Sequence, residues 1–205
     1  MNNLLEIQHL IQKQLWIDPV GALQNLSLLQ EDLLWLDSEG IFPNQSFIVD
    51  RFPKALRYPA SHNLEIFYDQ CKHDEASKKK YEKIENQYLE FISHLWGVSE
   101  FHLVSNLFEK SNLLKKSFPE EMKFFEENFM SFHDFENKPL VFKNYNQIEF
   151  LIKLSLKEKI TTCVVLADLK TIIWINSLAL KILIMHKTDK DFINLVSTTN
   201  GLYLR

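Results

Sequence analysis

A chain of 205 residues, 46% hydrophobic and 24% charged, has enough apolar side chain to bury a core without metal or disulfide staples, unlike disordered or disulfide-scaffold chains. Its formal charge of −4 and pI near 6.0 argue against general binding to nucleic acid or to an anionic membrane, both of which need a basic surface. Cys71 and Cys163 lie far apart and outside any CxxC pair, so two small buried thiols in a reducing cytoplasm are expected.

The N-terminal stretch MNNLLEIQHLIQKQLW lacks the basic region, unbroken apolar run and small-residue cleavage site of a secretory signal, so export is not expected. The abundance of Lys, Asn, Ile and Phe suits an AT-rich bacterial genome. Within that stretch Leu4, Ile7, Leu10, Ile11 and Leu15 recur at spacings of three and four, predicting an amphipathic helix that Asp18-Pro19 ends. The stretch ALQNLSLLQEDLLWL predicts a second helix, apolar on more than one face and broken at Asp37-Ser38-Glu39-Gly40.

Pro43, Pro53 and Pro59 then interrupt an irregular stretch that holds one strand candidate, SFIVD. A long helix is predicted from about Asp74, with Tyr81, Ile84, Tyr88, Phe91, Ile92 and Leu95 on one face and Gly97 in the left-handed position that closes it. Ser99 is expected to cap a helix bearing Leu103, Leu107 and Phe108. Ser117, Pro119 and two glutamates open another, bearing Met122, Phe125 and Phe129. After His133-Asp134 come a short strand candidate, PLVFKN, and a helix in which Ile148, Leu151, Ile152 and Ser155 share a face.

The most apolar passage, VVLADLKTIIWINSLALKILIM, runs from Val164 to Met185 and is long enough on paper to span a bilayer. A membrane helix needs about 20 uninterrupted apolar residues, and each central Asp or Lys costs on the order of 3 kcal/mol to insert. Asp168, Lys170, Asn176, Ser177 and Lys181 cut the passage into strand-sized pieces rich in Val, Ile and Trp. A three-stranded meander is therefore predicted, with turns at Asp168-Leu169-Lys170 and Asn176-Ser177. Thr188 and Asp191 suggest a capping-box start for a closing helix that Gly201 ends, and LYLR a short edge strand. No repeat, low-complexity tract or flexible linker divides the sequence. Residues 1–205 are read as a single α+β domain, a mostly helical N-terminal two thirds packed on a small antiparallel C-terminal sheet.

Two clusters offer residue types that do chemistry. HNLEIFYDQCKH presents His62, Asp69, Cys71 and His73, all zinc-ligand types, but without the two closely spaced pairs of a structural zinc site. His133-Asp134 resembles the metal-binding pair of HD-type hydrolases, with Glu126 on the preceding helix and His94, His102 or Asp168 as distant partners. Glu90 and His94, four apart, can meet on one helix face. Asp168, Asn176 and Ser177 are ordinary turn formers that also stand where polar side chains can serve a pocket. Lys78, Lys79, Lys80 and Lys83 form a basic run that Glu75, Glu82 and Glu85 neutralise on the same helix.

Nothing matches a GxGxxG, Walker A, GxSxG or HExxH pattern, and no cofactor is expected. The function expected is non-enzymatic: a cytoplasmic protein-interaction factor, immunity-like or regulatory, whose partner is another protein rather than nucleic acid or membrane. The alternative is a small metal-assisted hydrolase whose site is assembled from dispersed residues, His133, Asp134 and Glu126.

Overall fold

The structure, a computed structural model, describes residues 42, 44–56, 64–128 and 140–205. The two helices expected in the first 36 residues, His62, Phe129 and the His133-Asp134 pair lie outside the described residues. Among the described residues the strands are β1 (Ser46–Asp50), β2 (Phe101–Ser105), β3 (Leu140–Val141), β4 (Thr162–Leu166), β5 (Thr171–Ile175), β6 (Leu180–Ile184) and β7 (Tyr203–Leu204). They form one seven-stranded sheet in the order β3-β2-β4-β5-β6-β1-β7, with every neighbouring pair antiparallel. The helices are α1 (Tyr68–Cys71), α2 (Glu75–Trp96), α3 (Leu107–Ser117), α4 (Pro119–Asn128), α5 (Tyr145–Leu156) and α6 (Lys187–Thr199).

This sheet corrects the expectation of a small C-terminal meander beneath a helical first two thirds. The apolar passage does fold as three consecutive antiparallel strands, β4, β5 and β6, but these are only the centre of the sheet. β1 joins one side, pairing Ser46 with Leu183 through to Val49 with Leu180. β2 joins the other, pairing Phe101 with Leu166 through to Ser105 with Thr162. Strands and helices are thus interspersed along the described residues within an α+β architecture. The segment FHLVS, expected to be helical, is β2 because its side chains alternate: Phe101 and Leu103 enter the helix-packed core, while His102 pairs with Val165 on the other face.

Period-two alternation also places Val164, Leu166, Ile173, Ile175, Leu180, Ile182 and Ile184 in one core cluster with Tyr88, Phe91, Ile92 and Leu95 of α2 and Ile148, Leu151 and Ile152 of α5. Each fully buried side chain of this kind contributes about 1.5–3 kcal/mol. The alternates Cys163, Val165, Ile172, Trp174 and Leu183 are buried as well, so the centre of the sheet has no solvent-facing side. Among the described residues no helix is long and apolar enough to cross a membrane.

Helix α2 organises the remainder. Asp74 caps it, accepting a 2.8 Å hydrogen bond from the Ser77 amide. Gly97 follows its last turn at φ −67°, in the right-handed rather than the expected left-handed region. Tyr81 Oη donates to the Leu156 carbonyl at 2.8 Å, fixing the end of α5, and Tyr88 Oη donates to the Leu178 carbonyl, fixing the β5–β6 turn. At the other end of the chain, α6 starts at Lys187 with His186 as its N-cap, ahead of the expected Thr188, and Gly201 follows it at φ +71°.

Candidate functional site

Helix α5 ends in a tight reversal that shapes a broad cleft among the described residues. The Glu158 amide donates to the Ser155 carbonyl and the Lys159 amide to the Leu154 carbonyl, both at 3.0 Å, the paired bonds of a Schellman motif. Glu158 occupies its left-handed position at φ +61°, where glycine carries no steric cost and a glutamate does. Lys159 is thereby turned toward α1. Its Nζ lies 2.6 Å from Asp69 Oδ2, while Lys72 Nζ lies 3.0 Å from Asp69 Oδ1. Hydrogen bonds from Lys159 and then Lys72 hold the Asp69 carboxyl below the usual carboxylate range.

Beyond this triad a cleft of about 840 Å³ opens between α1 and α3, floored by residues 158–161 and Asn176. Tyr68 and Phe118 form its aromatic wall, with ring centroids 6.2 Å apart, and burial pushes the Tyr68 hydroxyl pKa up. Lys157 Nζ sits over the Tyr68 ring, 4.9 Å from its centroid. Lys110, Leu113 and Ser117 line the cleft from α3, and Asn106 and Thr161 from its floor. The Thr161 amide donates to Asn106 Oδ1 at 2.8 Å, which holds the start of α3 against the loop. Leu113 is 62% exposed, a large apolar side chain at the rim. Burial raises the Glu158 carboxyl pKa.

The described residues weighed in the sequence as candidate metal ligands or catalytic groups lie at separate places. Cys71 is buried at the end of α1, and His73 is exposed in the turn that follows. Glu126 Oε1 lies 2.9 Å from Lys115 Nζ, so it ties α4 to α3 instead of facing a site. On α2, His94 Nδ1 lies 2.7 Å from the Glu90 carbonyl oxygen, a backbone contact in place of the expected side-chain pair, and 3.4 Å from Asn200 Nδ2. His102 is buried on β2 with its Nε2 3.8 Å from Glu100 Oε2. Asp168 Oδ2 accepts from Ser99 Oγ and the Glu100 amide, both at 3.3 Å, and so anchors the start of β2. Among the described residues no group of three or more His, Cys, Asp or Glu can hold a metal ion, and no His or Cys lines the cleft.

Lys78, Lys79, Lys80 and Lys83 are exposed on α2, but Glu85, grouped with them by sequence, is buried against Lys157. Sequence reading missed Asn106, Lys110 and Leu113, at the start of and along α3, and Lys159, in the reversal after α5, which share no motif. It did single out Asp69 and Asn176, both of which line the cleft. No protein family, curated protein or solved structure matches this chain.

Proposed function

We propose that the chain acts by binding another protein, an extended segment of which lies in the cleft between α1 and α3. The lining of that cleft supports the reading. It mixes hydrogen-bonding Asn106, Ser117, Thr161 and Asn176 with an aromatic wall and exposed Leu113, beside cations and anions in similar number. A polypeptide backbone presents amide donors and carbonyl acceptors in alternation, which side-chain amides and hydroxyls can meet, while its apolar side chains pack on Tyr68, Phe118 and Leu113. A regulatory or immunity-like role follows from binding without chemistry. The free buried thiols of Cys71 and Cys163 suit a reducing cytoplasm, and the net charge of −4 disfavours nucleic acid as the partner.

The test is affinity capture from the native host with the wild-type chain and with Leu113→Glu, a change at an exposed position that leaves the core untouched. A protein recovered by the wild type and lost from the folded variant is expected. Equal recovery of the same proteins by both chains would contradict the assignment.

A further inference from the structure

A second, smaller cavity of about 290 Å³ lies on the other side of the Glu158 reversal, and the reading of the cleft does not bear on it. Phe52, Ile66, Phe67 and Leu178 give it apolar walls, and two guanidinium groups, Arg51 and Arg205, enter it. Arg205 Nη2 is 2.8 Å from Asp50 Oδ2, but its Nε–H is buried and has no hydrogen-bond partner among the described residues. Arg51 is packed over the Phe52 ring, 4.4 Å from its centroid, and donates to the Leu64 carbonyl, which leaves further N–H groups of its planar fork for an acceptor.

Apolar walls with a few convergent polar groups are the usual composition of a small-molecule site, and this volume is near the lower end of such sites, about 300 Å³. The acidic neighbours narrow the ligand class. Asp50, Glu65 and Glu158 also line the cavity, so a multiply charged anion such as phosphate would meet three carboxyl groups. Asp50 is engaged by Arg205, and burial raises the Glu158 carboxyl pKa. With Asp50 already paired to Arg205, the two guanidinium groups suit a ligand of one negative charge better than one of two.

We propose that this cavity binds a small monocarboxylate with an apolar body, its carboxylate between the Arg51 and Arg205 guanidinium groups and its body against Phe52, Ile66 and Leu178.

The experiment titrates the full isotope-labelled chain with phenylacetate and, separately, with its uncharged counterpart phenylacetamide, following backbone amide signals. Saturable shifts at Arg51, Ser177 and Ala179 are expected with phenylacetate, with phenylacetamide weaker by about tenfold or more, as suits loss of a charge-assisted hydrogen bond. Ala55 is exposed at the rim, so Ala55→Trp should block the mouth and abolish the shifts while the spectrum stays dispersed. Arg51→Met removes the guanidinium while keeping an unbranched apolar side chain, and should weaken phenylacetate alone. No saturable shift, equal binding of acid and amide, or unchanged binding by either folded variant would overturn the proposal.

Discussion

Lys157 Nζ stands 3.8 Å from Glu85 Oε1 where the end of α5 meets α2, and that buried oxygen accepts no hydrogen bond among the described residues. Desolvation therefore outweighs attraction to the lysine, and the Glu85 carboxyl is held above its ordinary pKa. Folding favours the protonated form. The stability contributed by that proton is complete below the unfolded pKa and is lost as pH rises through the folded one.

Glu85→Gln removes this linkage. Urea unfolding at a series of pH values should show that the variant loses less stability than the wild type between about pH 4 and pH 8. At neutral pH it should equal or exceed the wild type. A steeper decline in the variant would show that Glu85 is ionised and well paired. Lys157→Met leaves the carboxylate buried without its cation and should cost about 1–3 kcal/mol at neutral pH.

A buried hydroxyl relay ties α5 to the sheet. Ser155 Oγ is 2.8 Å from Thr162 Oγ1, which is 3.4 Å from Ser105 Oγ, and Ser105 Oγ accepts the Leu107 amide at 3.2 Å. Thr162→Val keeps the shape and removes the middle hydroxyl, while Ser155 Oγ retains the Leu151 carbonyl and Ser105 Oγ the Leu107 amide, so a loss of about 0.5–1.5 kcal/mol is expected in chemical unfolding. Thr162→Ser restores the oxygen and should recover most of it.

Two glycines should respond in opposite directions to alanine. At Gly97 φ is negative, and an added Cβ would meet the His94 carbonyl oxygen at an ordinary 3.5 Å. Gly97→Ala should therefore raise stability by about 0.4–1 kcal/mol, through the unfolded state. Gly201 has φ +71°, and an added Cβ would lie 2.6 Å from Gln87 Nε2, the movable end of a side chain. The backbone strain dominates, and Gly201→Ala should cost about 1–2 kcal/mol. Thermal melts of both variants measure the contrast.

What the sequence made legible was local. The periodicity of Tyr81 through Leu95 marked α2, and polar breaks at Asp168 and Asn176 divided the apolar passage into β4, β5 and β6. The rest depended on partners distant in the chain. SFIVD reads as a strand, but nothing in it says that it lies between β6 and β7. FHLVS reads as helix because Leu103 and Leu107 fit a helical spacing, and only β4 beside it makes it a strand. The cleft was legible only in pieces. Asp69 is visible as a charged residue, yet its two lysines come from positions 72 and 159, and the second is aimed by a left-handed Glu158 in a place where sequence rules expect glycine.

The central claim is that a protein partner occupies the cleft between α1 and α3. Photo-cross-linking in the native host tests it most directly, with the photoreactive side chain at position 113 on the rim or at position 79 on the exposed face of α2. The account predicts one discrete cross-linked protein from position 113 and none of that mass from position 79. The same adduct at both positions, or no adduct from position 113 while the chain remains folded, would contradict it.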